Sequence, residues 1–308
     1  MTTAIVLSGG GIRGPLQVGA LQSLLEHGIK PDMLVGTSAG AINSGFLAAR
    51  GPDLSSIPAL ATGWRKGTQP VVYPGNAFTI AWRFITGADG AFGSEGMRKL
   101  ITDNLPPGVT TFGQLKCPCY LTSVDLRSSR LYLFGEDPSA PLVDAIMASS
   151  SIPVYQPPVE YHGLQLVDGG VVAVTPVSVA IDKGADVIYA VNLGHGEETL
   201  PPVHGMFNIF MRTIDTFIVQ SVFNDLKRAE ADTNVELHFI HITAFNELPF
   251  NDFNHIDEMF VAGKAAADEY LSHPQPRLVA PTRAAATRAA APQTVGGARE
   301  YIPSWMTH

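Results

Sequence analysis

Hydrophobic positions near the start of the chain follow two patterns in turn. Residues 4–7 and 32–36 are short, nearly continuous apolar runs that end at glycine or a polar residue, as expected of buried strands. Residues 16–28 and 39–50 instead carry apolar side chains three and four positions apart, which predicts helices. This order of strand, helix, strand and helix favours an α/β fold in which helices cover both faces of a mainly parallel central sheet.

The rest of the chain extends this order. Residues 52–95 are rich in aromatic side chains broken by glycine and proline, which predicts short helices and loops over the sheet. Further strands are predicted at residues 119–126, 130–134, 185–193 and 235–242, and further helices at residues 141–150, 204–230 and 255–271. From residue 272 the chain is rich in Ala, Pro and Thr and has few core-forming side chains. We therefore predict one domain over residues 1–271 and a C-terminal tail over residues 272–308.

The composition supports a folded domain with a large core. Of the 308 residues, 45% are hydrophobic and only 16% are charged. The net charge is -8 and the basic residues do not cluster, which argues against nucleic acid as a partner. Because this charge gives no attraction to anionic lipid, peripheral contact with a membrane would depend on local apolar surface.

The cysteines and the N-terminal residues bear on location. Cys117 and Cys119 are too few for a disulfide framework or a zinc site, so we expect free thiols. No basic residue precedes the first apolar run, as a secretory signal would require, and no window reaches the roughly 18 apolar residues of a membrane span. These features predict a cytoplasmic protein whose contact with membranes, if any, is peripheral. They give no prediction of the oligomeric state.

Candidate chemistry appears between the second predicted strand and the helix after it. The pattern G-x-S-x-G occurs there at Gly36, Thr37, Ser38, Ala39 and Gly40. A sharp turn from strand to helix strains the serine backbone and brings neighbouring chain so close that bulk at the flanking positions would clash. The serine hydroxyl is then exposed at a helix N-terminus, where the dipole favours developing negative charge. We name residues 36–40 the nucleophile turn, although an ordinary glycine turn would show the same five letters.

A glycine-rich stretch follows the first predicted strand. We name it the glycine loop, and its members are Gly9, Gly10, Gly11, Ile12, Arg13 and Gly14. The stretch fits the dinucleotide pattern G-x-G-x-x-G, and it also fits an oxyanion hole, because consecutive glycines leave their amide groups uncovered. A dinucleotide site expects an acidic residue near the end of the second strand, whereas this second strand ends in the nucleophile turn. The adjacent serine therefore favours the oxyanion hole.

A third motif, Asp168-Gly169-Gly170, follows a strand-like run at residues 159–167. A serine hydroxyl is nearly inert until a base removes its proton. A carboxylate can be that base when it lies within hydrogen-bonding distance in a partly dry site that raises its pKa. Asp168 is the candidate, and we name it with the two glycines the base turn. A common surface turn would also explain these three residues.

Together, the glycine loop, the nucleophile turn and the base turn resemble the patatin-like phospholipase family in order and separation. The resemblance includes residues 148–159, covers about residues 4–193, and continues more weakly to residue 271. It implies a three-layer α/β sandwich related to the catalytic domain of cytosolic phospholipase. It also implies a dyad without histidine, in which Ser38 is the nucleophile and Asp168 the base. The glycine loop would supply the oxyanion hole, with Arg13 bracing it, and neither a metal nor a cofactor would be needed.

The resemblance implies a lipid acyl hydrolase. Its substrate would be a phospholipid, a lysophospholipid or a related acyl ester, cleaved through an acyl-enzyme intermediate. An acyltransferase that uses the same serine is the main alternative, and a nucleotide-binding module at the glycine loop is a third.

Three features of the sequence have alternative explanations. His195 follows a predicted strand, as the histidine of a triad would, whereas His238 and His241 alternate with apolar residues and are interpreted as structural. The aromatic stretch at residues 52–95 would form an acyl pocket or a lid, or would simply cover the sheet. The long helix at residues 204–230 has the same alternatives, and we favour a cover for the sheet, because the helix shows the apolar stripe of any core-facing helix.

Overall fold

Strands and helices alternate along most of the chain. The computed structural model describes residues 1–194, 202–231, 235–249, 251–278, 294–295 and 298–299. The strands are β1 (Thr3–Leu7), β2 (Met33–Gly36), β3 (Cys119–Asp125), β4 (Arg130–Phe134), β5 (Val159–Tyr161), β6 (Leu164–Asp168), β7 (Val187–Asn192), β8 (Glu236–His241), β9 (Arg277–Leu278), β10 (Thr294–Val295) and β11 (Ala298–Arg299). The helices are α1 (Gly14–Glu26), α2 (Ala39–Arg50), α3 (Ile57–Lys66), α4 (Gln69–Val72), α5 (Ala77–Ile85), α6 (Glu95–Asn104), α7 (Leu142–Ser149), α8 (Val177–Asp182), α9 (Met206–Ala231) and α10 (Ile256–Ser272). Within these described residues, no helix combines the length and the apolar content that crossing a bilayer requires.

One mixed sheet contains all the described strands except β10 and β11, which pair with each other. Its order is β5-β6-β3-β2-β1-β7-β8-β9, and β4 pairs with β3 outside this path. The central strands β3, β2, β1, β7 and β8 pair in parallel. Antiparallel pairs extend the sheet on both sides, through β4, β6 and β5 at one side and through β9 at the other. The predicted α/β class is confirmed, with parallel pairing in the centre of the sheet only.

Alternate residues of the sheet face two separate cores. In β1, Ile5 and Leu7 belong to one core and Ala4 and Val6 to the other, and all four side chains are fully buried. The first core also contains buried residues of α1, α2, α3, α6, α7 and α10, and the second contains buried residues of α8. Helices therefore cover both faces, which makes the three layers that the sequence predicts.

The C-terminal half differs from the sequence prediction in two ways. The long helix α9 is present, but among its described side chains Met206, Ile209 and Phe217 are exposed. In its second half Leu226 packs against the second core, as expected of a core-facing helix, whereas the side chains of Phe207, Phe210, Ile214 and Ile218 lie outside the described part of the chain. The strand β9 pairs with β8, so the sheet continues beyond residue 272, where we placed the start of the tail. The division into a domain and a tail otherwise stays a prediction.

Helices α1 and α10 touch along their backbones. A Cβ atom at Gly19 would lie 2.1 Å from the Phe260 carbonyl oxygen, and one at Gly263 would lie 1.9 Å from the Leu16 carbonyl oxygen. Both distances are far below any normal contact, so this packing requires glycine on each helix. Because α1 begins at the end of the glycine loop, α10 fixes the helix that carries this loop.

We expect Gly263→Ala to destabilise the domain by about 1–3 kcal/mol, because the two helices must separate to admit a methyl group. Thermal unfolding measures the effect. The control is Gly63→Ala in α3, where the new Cβ atom would lie 3.7 Å from Asn104, an ordinary contact. This control should leave stability unchanged or raise it slightly. Equal melting temperatures for the Gly263→Ala variant and the wild type would contradict the close packing of α1 on α10.

Candidate active site

One edge of β3 brings the nucleophile turn and the base turn together. Along this edge β2 pairs with the first half of β3, where Gly36 is opposite Leu121, and β6 pairs with the second half, where Asp168 is opposite Ser123. The strand β2 runs parallel to β3 and β6 runs antiparallel to it, so the two strands end facing each other. One residue of β3, Thr122, lies between their partners, so about 7 Å of strand separates these ends. Ser38 and Asp168 therefore meet although they are far apart in the chain.

The hydroxyl of Thr122 occupies the junction between the two strand ends. It lies 2.6 Å from the Thr37 hydroxyl, which itself donates a hydrogen bond of 2.8 Å to the Ala173 carbonyl. Thr122 is therefore the donor to Thr37. On the other strand, a Cβ atom at Gly169 would lie only 2.3 Å from Thr122 Oγ1. Thr122 thus contacts both turns, and Gly169 is glycine because this contact leaves no room for a side chain.

The backbone of the nucleophile turn is strained at its serine. Ser38 has φ 55° and ψ -119°, outside the regions that L-residues prefer, and α2 begins at the next residue. A Cβ atom at Gly36 would lie 2.3 Å from the Gly40 carbonyl oxygen, and one at Gly40 would lie 2.1 Å from the Leu7 carbonyl oxygen. Neighbouring backbone therefore approaches both flanking glycines closely, as the sequence predicts.

Three consecutive serines hold both turns in place. The Ser149 hydroxyl accepts a hydrogen bond of 2.9 Å from the Ser38 amide, and the Ser150 hydroxyl donates one of 3.2 Å to the Ser38 carbonyl. The Ser151 carbonyl accepts a 2.9 Å hydrogen bond from the Asp168 amide. The short segment at the end of α7 therefore positions both Ser38 and Asp168.

Asp168 is a buried carboxylate. Its side chain accepts a hydrogen bond from the Gly170 amide at 2.7 Å, and only 6% of the residue is exposed. Burial raises the pKa of Asp168 from 3.8 to about 6, and hydrogen bonds from the Ser38 hydroxyl and the Gly170 amide limit the increase. At neutral pH the carboxylate is therefore mostly ionised, yet it binds a proton more readily than an exposed aspartate does. Such a group suits a general base.

The amides of the glycine loop are not all available to a ligand. Gly9 donates to the Val174 carbonyl at 2.8 Å, Arg13 donates to the Gly10 carbonyl at 3.1 Å, and the Gly14 amide is bonded to the Gly11 carbonyl. This corrects the predicted set of oxyanion donors at these three positions. The amides of Gly10, Gly11 and Ile12 have no protein acceptor within the described part of the chain, and the same holds for Ala39.

The glycine loop is braced on its outer side, as expected for Arg13. The Arg13 guanidinium donates to the Leu193 carbonyl at 3.0 Å and to the Asn246 side chain. A Cβ atom at Gly10 would lie 2.7 Å from the Leu193 side chain. Arg13 therefore ties the loop to the chain that follows β7.

A buried polar chain ties the loop to the helices on its inner side. Gln17 donates to the Ser8 carbonyl at 2.7 Å, Asn43 donates to Gln17 at 2.9 Å, and the Trp64 indole donates to Asn43 at 2.7 Å. Trp64 also packs against Gly14, where a Cβ atom would lie 2.2 Å from the indole ring. Because every member of this chain has a partner, the spacing between α1, α2 and α3 is fixed beside the loop.

An apolar cavity opens beside Ser38. Next to the serine its wall contains Gly11, Ile12 and Ala39. The rest of the wall is mainly apolar and comes from several helices and loops, including Ile42, Phe46, Leu60, Trp64, Tyr73, Met97, Ile101, Ile146 and Phe253. Burial, aided by Tyr155 and the Asp168 carboxylate, raises the pKa of Tyr73 far above its usual value, as expected for a phenol in this apolar wall.

The predicted aromatic stretch divides between two roles. Trp64 and Tyr73 line the cavity and Phe92 is buried, whereas Phe78, Trp82 and Phe84 are exposed. The stretch therefore contributes to the wall of the cavity and also exposes aromatic side chains, so it does more than cover the sheet.

The histidines and cysteines lie apart from this chemistry or outside the described residues. His195, the candidate third member of a triad, lies outside them. His238 is buried, stacks on Tyr189 and contacts Tyr270 and Glu236, in line with a structural role. Cys117 and Cys119 are free, and burial raises the pKa of Cys117 to about 11, so this thiol is protonated at neutral pH.

Sequence reasoning missed residues that support the site without touching a substrate. Thr122 lies in the middle of a predicted strand, and Gln17 and Asn43 lie in predicted helices, where polar residues are common. The only signal was an apolar residue directly before each of them, Leu16, Ile42 and Leu121, which is typical of a buried position.

Comparison with known proteins shows which family and which relatives this chain resembles. A family model described as "Patatin: Patatin-like phospholipase" matches residues 5–181. The lysophospholipase nte1 of Aspergillus terreus is 25% identical in an alignment of 298 residues that covers 88% of this chain and 18% of that protein. The patatin-like phospholipase domain-containing protein 7 of Rattus norvegicus is 29% identical over 64% of this chain and 14% of that protein. This chain spans less than a fifth of the length of each of these relatives.

Among solved structures, the crystal structure of VipD from Legionella pneumophila superposes with a TM-score of 0.47 at 13% identity. The superposition covers 88% of this chain and 66% of that chain.

We expect Asp168→Asn to keep or raise stability at pH 8. The folded-state pKa of about 6 lies above the unfolded value of 3.8, so the carboxyl favours folding below pH 4 and loses this contribution as the pH rises through about 6. Two pKa units correspond to about 3 kcal/mol, which bounds the gain from a neutral amide at high pH. Chemical denaturation of both proteins at pH 4 and pH 8 measures it.

The control for this comparison is Asp89→Asn at an exposed carboxylate, which should leave stability unchanged at both pH values. A variant Asp168→Asn that is less stable than the wild type at pH 8 would show that the ionised carboxylate stabilises the fold, contrary to the burial argument.

We expect Thr122→Val to lower the melting temperature by about 2–4 °C and to slow labelling of Ser38 by a fluorophosphonate. The Thr37 hydroxyl would lose its donor in a buried position, at a cost of about 1 kcal/mol, and the two turns would lose their common contact. Thr122→Ser keeps the hydroxyl and should label at the wild-type rate. Equal rates for the valine and serine variants would show that the hydroxyl does not position Ser38.

Proposed function

This chain belongs to the patatin-like phospholipase family, and we propose that it is a lipid acyl hydrolase in which Ser38 and Asp168 act as a catalytic dyad. One observation carries the proposal. A serine in a strained turn at a helix N-terminus shares a hydrogen bond with a buried carboxylate, and the serine lines an apolar cavity. Acyl transfer needs this combination of nucleophile, base and apolar binding site.

In the first half-reaction, Ser38 Oγ attacks the ester carbonyl while Asp168 accepts its proton. The alcohol then leaves with that proton, and an acyl-enzyme remains on Ser38. In the second half-reaction, water attacks the acyl group and gives its proton to Asp168. The bond from the acyl carbon to Ser38 Oγ then breaks, Oγ takes the proton back from Asp168, and the fatty acid is released. The pKa of about 6 supports this role, because the carboxylate is ionised at neutral pH and still basic enough to accept a proton.

The uncovered amides of Gly10, Gly11, Ile12 and Ala39 would stabilise the oxyanion that forms in each half-reaction. Their supporting feature is that none has an acceptor in the described part of the chain, while Gly11, Ile12 and Ala39 line the cavity beside Ser38. Ala39 is also the first residue of α2, where the helix dipole assists. Removing one such donor typically costs about 3–4 kcal/mol of transition-state stabilisation.

The cavity supports a substrate with a long acyl chain. Its wall is mainly apolar, and Gln156 is the exception with an unused acceptor: its Oε1 is buried and has no partner among the described residues, while its Nε2 contacts Met97 Sδ at 3.3 Å. An acceptor of this kind suits a free hydroxyl group on the substrate. Together with relatives named lysophospholipases, this favours a single-chain phospholipid as the substrate.

We expect a fluorophosphonate probe to label the wild-type chain, and Ser38→Ala to abolish both labelling and hydrolysis of p-nitrophenyl esters. Asp168→Asn should lower the rate of hydrolysis by about 10³-fold or more while the fold is retained, because no other described base contacts Ser38. The wild-type rate should rise with pH through about 6, as Asp168 ionises. Product analysis with phospholipid and lysophospholipid then identifies the substrate.

The matched controls are Ser139→Ala and Asp89→Asn, exposed residues outside the cavity, which should hydrolyse at wild-type rates. Full turnover by Asp168→Asn would overturn the dyad and direct attention to His195. Formation of a new ester when an alcohol is added, with little free acid, would favour the acyltransferase alternative.

A further inference from the structure

Helix α5 exposes its apolar side chains to solvent. Phe78 is 77% exposed, Trp82 60%, Phe84 88% and Ile85 77%, within a helix of nine residues. The helix is nevertheless well formed, because the Asn76 side chain accepts hydrogen bonds from the amides of Phe78 and Thr79. A stable helix that presents four large hydrophobic side chains to water requires a partner.

The segment that carries α5 is anchored at the rim of the catalytic cavity. Its two ends are the buried residues Tyr73 and Phe92, whose ring centroids are 5.1 Å apart, and Tyr73 lines the cavity. The Phe92 ring also stacks on Tyr155, and the Phe92 amide donates to the Tyr155 carbonyl at 2.8 Å. The next residue, Gln156, lines the cavity as well. Whatever covers α5 therefore lies next to the cavity.

The apolar side chains of α5 point in more than one direction. At 100° per residue, Phe78, Trp82 and Ile85 fall within about 60° of one another, whereas Phe84 lies roughly 120° away from their centre. The side facing the protein carries only Ile80 and Arg83, which are half-buried. A flat protein surface would cover one side of this helix and leave Phe84 or the other three in water. A fluid acyl layer can surround all four.

The charges of the segment do not favour an anionic surface. Between residues 74 and 91 the charged residues are Arg83 and Asp89, and Arg83 donates to the Gly90 carbonyl at 2.7 Å within the segment. The chain as a whole carries a net charge of -8, which repels anionic lipid. Binding would depend on apolar burial at an electrically neutral lipid surface.

We propose that α5 is a membrane-docking helix that inserts Phe78, Trp82, Phe84 and Ile85 into the outer acyl region of a zwitterionic phospholipid layer. This brings the mouth of the cavity against the layer from which a lipid substrate would enter. The proposal rests on the proposed function for the identity of that substrate, but binding itself does not require catalysis.

The test is flotation of the full chain with phosphatidylcholine vesicles. The wild type should float, and Phe78→Ser/Trp82→Ser should reduce the partition coefficient by about tenfold or more for each aromatic side chain that no longer inserts. Because both side chains are exposed, the variant should keep the wild-type melting temperature. A control with two exposed aliphatic side chains elsewhere, Leu54→Ser/Val261→Ser, should float like the wild type.

Two further arms identify the occupant of the surface. Adding phosphatidylserine to the vesicles should leave binding unchanged or weaken it, and binding that requires phosphatidylserine would overturn the proposal. Sedimentation without lipid tests a second copy of the chain as the partner. Self-association that is lost in Phe78→Ser/Trp82→Ser would assign α5 to a protein interface and also overturn it.

Hydrolysis separates this inference from the proposed function. Phe78→Ser/Trp82→Ser should hydrolyse soluble p-nitrophenyl acetate at the wild-type rate, and its rate on phospholipid vesicles should fall about tenfold or more. A wild type that hydrolyses the soluble ester but does not float overturns the docking helix and leaves the proposed function standing. A wild type that floats through α5 but hydrolyses neither substrate overturns the proposed function and supports the docking helix.

Discussion

The candidate site depends on one strand edge that two other strands share. Because β2 and β6 approach the same edge of β3 from opposite directions, their ends meet, and the residues that follow them must turn away from the sheet at one point. One of these turns presents Ser38 and the other begins with Asp168. The contact that joins the turns is small, a threonine hydroxyl against Thr37 on one side and against Gly169 on the other. There is no space for a larger junction, so glycine and threonine at these positions follow from the pairing of the strands.

The same arrangement carries a cost that the surrounding fold must offset. A buried carboxylate with a pKa of about 6 opposes folding at neutral pH by up to about 3 kcal/mol, and the backbone of Ser38 is strained. The compensation is local. The serines at the end of α7 satisfy the backbone of both residues, and the chain from Ser8 through Gln17 and Asn43 to Trp64 fixes the adjoining helices. Stability and reactivity thus depend on the same buried hydrogen bonds.

Particular residues show how much of the fold and of the candidate site the sequence predicts. Short apolar runs and helical spacing predict most strands and helices, since burial alone sets those periods, and G-x-S-x-G predicts the turn because only glycine fits at Gly36 and Gly40. Which strands pair is not a local property, so neither the shared edge of β3 nor the role of Thr122 could be predicted. The glycine loop shows the same limit: its letters predict free amides, but the Val174 carbonyl, distant in sequence, takes the amide of Gly9. The exposure of Met206, Ile209 and Phe217 in α9 could not be predicted either, because an apolar stripe does not specify the surface that it contacts.

The apolar wall of the cavity and the exposed apolar side chains of α5 differ in their surroundings. The cavity wall is mainly apolar and enclosed by packed helices, so it can hold an acyl chain only after that chain has left its own apolar surroundings. Transfer through water would cost about 0.8 kcal/mol for each methylene group, which grows quickly with chain length. An apolar helix at the rim of the cavity removes this cost if it brings the two apolar phases into contact. For the proposed docking, the acidic net charge has a physical consequence: apolar contact, and not Coulomb attraction, would hold the protein at a lipid surface.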